Sequence, residues 1–188
     1  AALTRGLLMR VLEQIFYQAF HSARQAAGSD TFLIHSSAVI AKNSGFLFVG
    51  PSEAGKTTVA LNSSAHHVLG DEMTLVQPGS AGVTIEGSPF NGTFKTKSPG
   101  KAPLKAIFLL QQAPLHRISP IGLADATSLL AAEIVPPVGL DQLPGPETLP
   151  NMVQLAAEMI EKVPVYRLEL LPDPGFWTII DQFFDLGL

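Results

Sequence analysis

Nine consecutive residues, GPSEAGKTT at positions 50–58, have the composition and spacing of a loop that binds phosphate. The pattern G-x-x-x-x-G-K-[ST] is completed by Gly50, Gly55, Lys56 and Thr57. In such a loop the glycines let backbone N–H groups turn toward phosphate oxygens, and the helix that follows adds the positive end of its dipole. The sequence therefore predicts a site for the phosphates of a nucleotide.

The chemistry of this pattern gives individual residues distinct predicted roles. We expect Lys56 to reach the β- and γ-phosphates and the Thr57 hydroxyl to ligate Mg²⁺. A carboxylate on a neighbouring strand usually completes or orients that metal shell, and the nearest candidates are Asp71 and Glu72. The residues predicted to contact the nucleotide are Gly50, Pro51, Ser52, Glu53, Ala54, Gly55, Lys56, Thr57 and Thr58.

The elements that must position this loop follow from the hydrophobic pattern around it. Two strands are predicted over 31–41 and 46–50, joined by the turn-forming sequence KNSG. The second strand leads directly into the loop, a short helix is predicted over 56–64, and a single strand over 68–76 carries the acidic pair at one end. A strand before the loop and a helix after it are the context that the pattern requires.

The whole chain, 1–188, is expected to be a single domain because 46% of its residues are apolar, enough for one core. Within it we distinguish an N-terminal amphipathic helix (1–28), a nucleotide-binding core (31–76) and a C-terminal helix–strand–helix unit (145–188). Apolar residues at helical spacing in 7–20 indicate that the N-terminal helix packs on the core. Binding to a partner or a membrane surface is the alternative for this helix.

Between these units the sequence predicts further elements of alternating type. Residues 77–105 are interpreted as a loop region with one strand-like piece at 82–86. Later strands are predicted over 106–111, 116–120 and 163–170, helices over 122–133, 151–162 and 176–184, and a proline-rich connector over 136–150. Strands that alternate with helices indicate an α/β or α+β fold.

Composition excludes several functional classes. A net charge of −4 with only 12 basic residues argues against nucleic-acid binding. The absence of cysteine excludes disulfides, thiolate-ligated zinc and thiol catalysis, and a cytoplasmic location is the expectation. No membrane span is expected, because the most apolar N-terminal run, 6–20, contains Arg10 and Glu13. The chain begins at Ala1 rather than at methionine, so the natural protein can extend further.

The order of motifs also resembles a known superfamily. The chain contains, in order, HSSA at 35–38, a hairpin, GPSEAGKTT, a short helix and LGDEMTLV at 69–76. This order resembles that of the HPr kinase/phosphorylase and ATP-dependent PEP carboxykinase superfamily. Outside this region, GSPFNGTF, APLKAIFLL and VPVYRLEL are similar to small bacterial HPr-kinase-like proteins. The resemblance implies an α/β fold in which the P-loop lies in a mixed β-sheet with flanking helices. It also leaves room for a homo-oligomer, since members of the superfamily form multimers.

The resemblance implies roles for residues outside the loop as well. It implies ATP and Mg²⁺ as cofactors, with Thr57 and Asp71 at the metal, and an acidic pair that handles the proton of the acceptor hydroxyl, with Asp71 as the expected base. His35 matches a histidine that lies beside the site. Glu53 and Glu72 depart from the family pattern, which has a small residue and a second aspartate at these positions. A downstream glycine-rich signature is missing, which argues against HPr as the acceptor and against phosphorylase activity.

The sequence is thus interpreted as a kinase that transfers the γ-phosphoryl group of ATP to a serine or threonine hydroxyl of a protein or peptide. Two alternatives remain open: a nucleotide-binding regulatory module without catalysis, and a kinase for a small molecule. Other features are assigned to structure: the pair His66-His67 to solvated surface, and the aromatic residues of 176–184 to the core. The lysines of 95–105 are interpreted either as a solvated loop or as one that closes over ATP or holds an acceptor, and Arg117 either as a surface residue or as a group that stabilises transition-state charge.

Overall fold

The structure is a computed structural model that describes residues 2–28, 31–90, 92–136 and 145–188. Five helices and eight strands lie in these ranges. In chain order they are α1 (Ala2–Ala26), β1 (Phe32–Ala41), β2 (Ser44–Val49), α2 (Lys56–Leu61), β3 (His67–Gly70), β4 (Met73–Gly79), β5 (Gly82–Gly87), β6 (Lys101–Gln112), β7 (Arg117–Pro120), α3 (Leu123–Ala131), α4 (Thr148–Lys162), β8 (Val165–Leu170) and α5 (Phe176–Phe184).

The strands form one mixed sheet, which confirms the predicted α/β class. Its order is β2-β1-β4-β5-β6-β8-β7, with β3 on β1 and an additional pairing of β2 with β6. The β2–β6 and β6–β8 pairs are parallel and the others are antiparallel. Because β2 pairs with both β1 and β6, the path β1-β4-β5-β6-β2 closes on itself, and β8 and β7 extend the sheet beyond this ring.

The predicted hairpin forms between β1 and β2, with a turn shorter than the sequence indicated. Ala41 pairs with Ser44, so only Lys42 and Asn43 lie in the turn. Both have positive φ, 47° and 62°, as a two-residue type I′ turn requires. This turn fixes the register of β2, the strand that leads into the phosphate loop.

The strand predicted over 68–76 is wrong as a single element. β3 ends at Gly70 and β4 begins at Met73, so the acidic pair lies in a break between them. Both pieces pair with the same side of β1, through Ala38 to Gly70 and His35 to Met73. At this break the chain places the Asp71 side chain where it accepts hydrogen bonds from Thr57, Thr93 and Phe94, as described below.

The region interpreted as loop, 77–105, contains more regular structure than predicted. It includes the end of β4, all of β5 and the start of β6. Glycine and proline obscured these strands because both residues are poor strand formers. The terminal helix has the predicted bounds, and α4 begins three residues earlier than predicted, with Pro150 in its first turn, where proline is tolerated. Residues 137–144 of the predicted connector lie outside the described residues.

Three apolar clusters pack against the sheet in the described residues. The first includes residues of α3 and α4, the second includes residues of α2 and α5, and the smaller third joins Tyr17 of α1 to β1 and β4. Phe176 and Trp177 are buried, which confirms their predicted place in the core. Phe183 is 49% exposed, so its predicted burial is wrong; its ring lies at the surface, 5.0 Å from that of Tyr166.

Helix α1 packs on the sheet through only part of the predicted apolar face. Of the residues in that face, Val11, Leu12, Ile15 and Phe16 are between 38% and 61% exposed. Phe20, which also belongs to it, makes the contact together with Tyr17 and the buried His21, and the rings of Tyr17 and Phe20 meet Phe90 at 4.6 and 5.5 Å. Arg24 continues this face and pairs with Glu86 at 3.7 Å. No helix in the described ranges is long and apolar enough to cross a membrane.

We expect the docking of α1 to make stability depend on pH through His21. Burial lowers the pKa of His21 below its ordinary value of 6.5, and its Nε2 has no hydrogen-bond partner among the described residues. The unfolded chain therefore binds a proton more readily than the folded one, and the free energy of unfolding falls as the pH drops below about 6.5.

Denaturant unfolding of the wild type and of His21→Leu at several pH values between 5 and 8 measures this effect. Burial also lowers the pKa of His66, so His21→Leu should retain part of the pH dependence. Equal pH slopes for the two proteins would contradict the prediction.

Candidate phosphate-binding site

The phosphate loop connects the end of β2 to the start of α2. Two of its glycines are required by geometry: Gly55 has φ of +115°, and a Cβ on Gly50 would lie 2.8 Å from that of Ala54. Glu53 also adopts a left-handed conformation, with φ of +68°, and its carbonyl oxygen accepts a hydrogen bond of 2.6 Å from Gln112 Nε2. This hydrogen bond holds the loop against the end of β6. The Glu53 side chain is exposed.

Lys56 is the buried cation of the loop, 7% exposed. Its Nζ donates to the carbonyl oxygens of Gly50 at 2.5 Å and Pro51 at 3.0 Å. Burial lowers the pKa of Lys56, and the negative charges of Glu133 and Glu72 oppose that shift. The ammonium is therefore held at the loop by its own backbone, in a poorly hydrated place where an added phosphate would be a strong partner.

Asp71 is buried against this loop. Its Oδ2 accepts three hydrogen bonds, from Thr57 Oγ1 at 3.0 Å and from the backbone N–H groups of Thr93 at 3.1 Å and Phe94 at 3.0 Å. Its Oδ1 is buried without a partner among the described residues, and a Cβ on Gly92 would lie 2.7 Å from it. Asp71 thus contacts the predicted metal ligand Thr57 but has little room for a substrate hydroxyl.

Glu72 and His35 are more accessible than Asp71. Their side chains are 31% and 33% exposed, and His35 Nε2 lies 3.9 Å from Glu72 Oε1. The hydroxyl of Tyr17, from α1, donates to the same Glu72 oxygen at 3.5 Å. A substrate that enters the site can therefore reach Glu72 and His35 directly.

Glu133 is a further site residue that the sequence analysis did not identify. It follows α3, and its Oε2 lies 3.1 Å from His35 Nδ1. In sequence these two residues are 98 positions apart, and Glu133 had no signal except its place at the end of a predicted helix. Tyr17 was missed for the same reason, because it is 55 positions from Glu72.

Most of the predicted site residues meet in one cavity of about 250 Å³. It is lined by His35, Ser52, Glu53, Gly55, Lys56, Thr57, Thr58, Asp71 and Glu72. Of the predicted loop residues, Gly50 and Pro51 contribute carbonyl oxygens to Lys56, and Ala54 lines a neighbouring cavity of about 160 Å³. The lining of the larger cavity carries three carboxylates against the single ammonium of Lys56, so a triphosphate would need an additional cation.

The oxygen groups next to the loop fit Mg²⁺ as that cation. The Thr57 hydroxyl and the Asp71 carboxylate are oxygen ligands of the kind that Mg²⁺ prefers. Asp71 Oδ1 accepts no hydrogen bond from the described residues. Within the described ranges, no group of three or more histidine, cysteine, aspartate or glutamate side chains could hold a metal ion.

Several residues singled out in the sequence lie elsewhere. Arg117 pairs with Glu169 across β7 and β8. Lys97 Nζ donates to the carbonyl oxygens of Ser88 and Phe90, both at 2.6 Å, and therefore braces the segment that packs on α1. Of the two adjacent histidines, His67 is exposed, but His66 packs on Trp177 with ring centroids 4.3 Å apart, so its assignment to solvated surface is wrong.

Comparisons with known proteins found similar solved structures and one matching family model. A solved structure, the HPr(Ser) kinase/phosphatase from Coxiella burnetii, is similar with a TM-score of 0.44 and 10% sequence identity, over 82% of this chain and 97% of that chain. No curated protein sequence matches. The model of one protein family, described as "SynChlorMet cassette protein ScmC", matches residues 4–185.

Proposed function

The chain belongs to the SynChlorMet cassette protein ScmC family, and we propose that it binds Mg·ATP and transfers the γ-phosphoryl group to a hydroxyl of a protein or peptide. One observation carries the proposal: a loop with the phosphate-binding pattern shares a cavity with Asp71, which accepts a hydrogen bond from Thr57, and with the accessible pair His35 and Glu72. Positioning and charge neutralisation supply most of the catalysis in phosphoryl transfer.

The contacts favour a division of roles among the residues of the cavity. Lys56 and the loop amides would bind the phosphates, and Thr57 with Asp71 would hold Mg²⁺, which neutralises phosphate charge when it is bound. Asp71 was expected to act as the base, but its burial and its three donors suit the metal role better. The accessible side chains of Glu72 and His35 are better placed to meet the acceptor hydroxyl.

Calorimetry of Mg·ATP binding, followed by transfer of labelled γ-phosphate to a protein fraction, tests the proposal. We expect Thr57→Val to weaken binding about tenfold in the presence of Mg²⁺, because a hydroxyl ligand is lost, and to have a smaller effect without it. Thr178→Val, at an exposed threonine of α5, is the matched control.

The outcomes separate the proposed kinase from its rivals. Binding with transfer to protein supports the proposal. Binding without turnover would favour the regulatory module, and transfer only to a small molecule would favour a small-molecule kinase. An absence of Mg·ATP binding would overturn the assignment of the loop.

A further inference from the structure

We propose that Glu133 is a positioning residue that holds His35 in one tautomer and orientation, so that His35 Nε2 receives the proton of the acceptor hydroxyl. The contact that suggests this is the 3.1 Å approach of Glu133 Oε2 to His35 Nδ1. The Glu133 side chain is 13% exposed and that of His35 is 33% exposed. A mostly buried carboxylate therefore holds a ring that faces the cavity.

The backbone makes this contact rigid. The His35 N–H donates to the carbonyl oxygen of Glu133 at 2.8 Å, and the Val135 N–H donates to that of Leu33 at 2.9 Å. Ile34 and Ile134 lie opposite each other as an antiparallel bridge. The segment after α3 thus forms a short ladder with β1 that includes His35 itself, and Glu133 is fixed in place independently of its side chain.

The tautomer of His35 follows from the chemistry of its partner. An ionised carboxylate only accepts hydrogen bonds, so the 3.1 Å contact requires a proton on His35 Nδ1. In a neutral imidazole the other nitrogen then carries a lone pair. That nitrogen, Nε2, is 3.9 Å from Glu72 Oε1 and faces the cavity that contains Lys56 and Thr57.

This inference rests on the proposed phosphoryl transfer for its catalytic meaning. The acceptor oxygen forms a bond to the γ-phosphorus, the bond from that phosphorus to the bridging oxygen breaks, and ADP leaves with the electron pair. The hydroxyl proton passes to His35 Nε2, and the negative charge of Glu133 stabilises the ring that has gained it. Asp71 is poorly placed for this proton because it is 3% exposed.

Nitrogen NMR of the histidine rings tests the inference without nucleotide. The chain has five histidines, so the His35 signals are identified by their loss in His35→Gln. At about pH 8, where histidine side chains are ordinarily neutral, we expect the wild type to show His35 protonated at Nδ1. Glu133→Ala should lose this preference, and Glu133→Gln should keep it because the amide oxygen still accepts.

Kinetics of the same variants distinguish positioning from a general structural role. We expect kcat to fall about 100-fold in Glu133→Ala, with a much smaller change in KM for ATP because the charge of Glu133 also acts on Lys56, and kcat to recover at least in part in Glu133→Gln. Asp125→Asn, at an exposed carboxylate of α3, should match the wild type in both measurements.

Three results would overturn the inference: a wild-type His35 protonated at Nε2, an unchanged His35 spectrum in Glu133→Ala, or a Glu133→Gln variant as impaired as Glu133→Ala. The proposed function fails in a different way. If no phosphoryl transfer occurs while the His35 spectrum responds as expected, Glu133 does position His35, but the protein is not the proposed kinase.

Discussion

Lys56→Met is expected to weaken the binding of Mg·ATP at least 100-fold, about 2.8 kcal/mol, and to abolish phosphoryl transfer. Lys56 is the cation of the cavity lining, which also carries the carboxylates of Glu53, Asp71 and Glu72. Without the ammonium, the β- and γ-phosphates would face carboxylates with no charged partner from the protein. Titration calorimetry with Mg·ATP measures the loss directly.

The same substitution should leave the fold intact. Methionine can fill much of the space of the buried Lys56 side chain and removes a charge that burial disfavours, while the carbonyl oxygens of Gly50 and Pro51 lose their donor. Because these effects oppose each other, we expect a melting temperature close to that of the wild type. Lys162→Met, at an exposed lysine of α4, is the control and should change neither quantity. Nucleotide affinity retained in Lys56→Met would show that the loop does not bind phosphate.

Asp71→Ala is expected to impair both stability and function. It leaves the part-buried N–H of Thr93 and the buried N–H of Phe94 without their acceptor, and an unsatisfied buried donor costs about 1–3 kcal/mol. The free energy of unfolding should therefore fall by about 1–3 kcal/mol, a substantial part of the stability of a typical domain. Denaturant unfolding measures this change.

Asp71→Asn separates the two roles of this carboxylate. The amide oxygen can still accept from Thr93 and Phe94, so most of the stability should return. The neutral side chain is a weaker partner for a Mg²⁺ shell, so the Mg²⁺ dependence of ATP binding should remain impaired. If Asp71→Asn restored both properties, the proposed place of Asp71 at the metal would be wrong. Asp125→Ala serves as the control for loss of an exposed carboxylate.

The parts of the site that the sequence predicted well are those with local signals. The strand–loop–helix order around 50–58 depends on neighbouring residues, and the structure has β2, the loop and α2 in that order. The proximity of Asp71 to Thr57, 14 positions away in sequence, was also predicted, because a phosphate loop of this pattern usually has a carboxylate on a neighbouring strand.

The remaining features depend on tertiary contacts that leave little trace in one sequence. Glu133 reaches His35 only because the segment after α3 pairs with β1. The break at Asp71 arises from donors at Thr93 and Phe94, in a segment that looks irregular in sequence. The packed face of α1 was predicted only in part: the apolar spacing included Phe20, which packs on Phe90, but it also included the exposed residues at 11–16 and missed Tyr17.

Closure of the β1-β4-β5-β6-β2 ring has a consequence for self-association. A strand with an unpaired edge can pair with another chain, and long open edges favour aggregation. In the described part of the chain, β3 and β7 each pair with one neighbouring strand only, and each is four residues long. The Ser98 N–H covers part of β3 by donating to Val68, and β7 carries Arg117 and Pro120. The strand that bears the phosphate loop is therefore shielded on both sides from edge-to-edge aggregation.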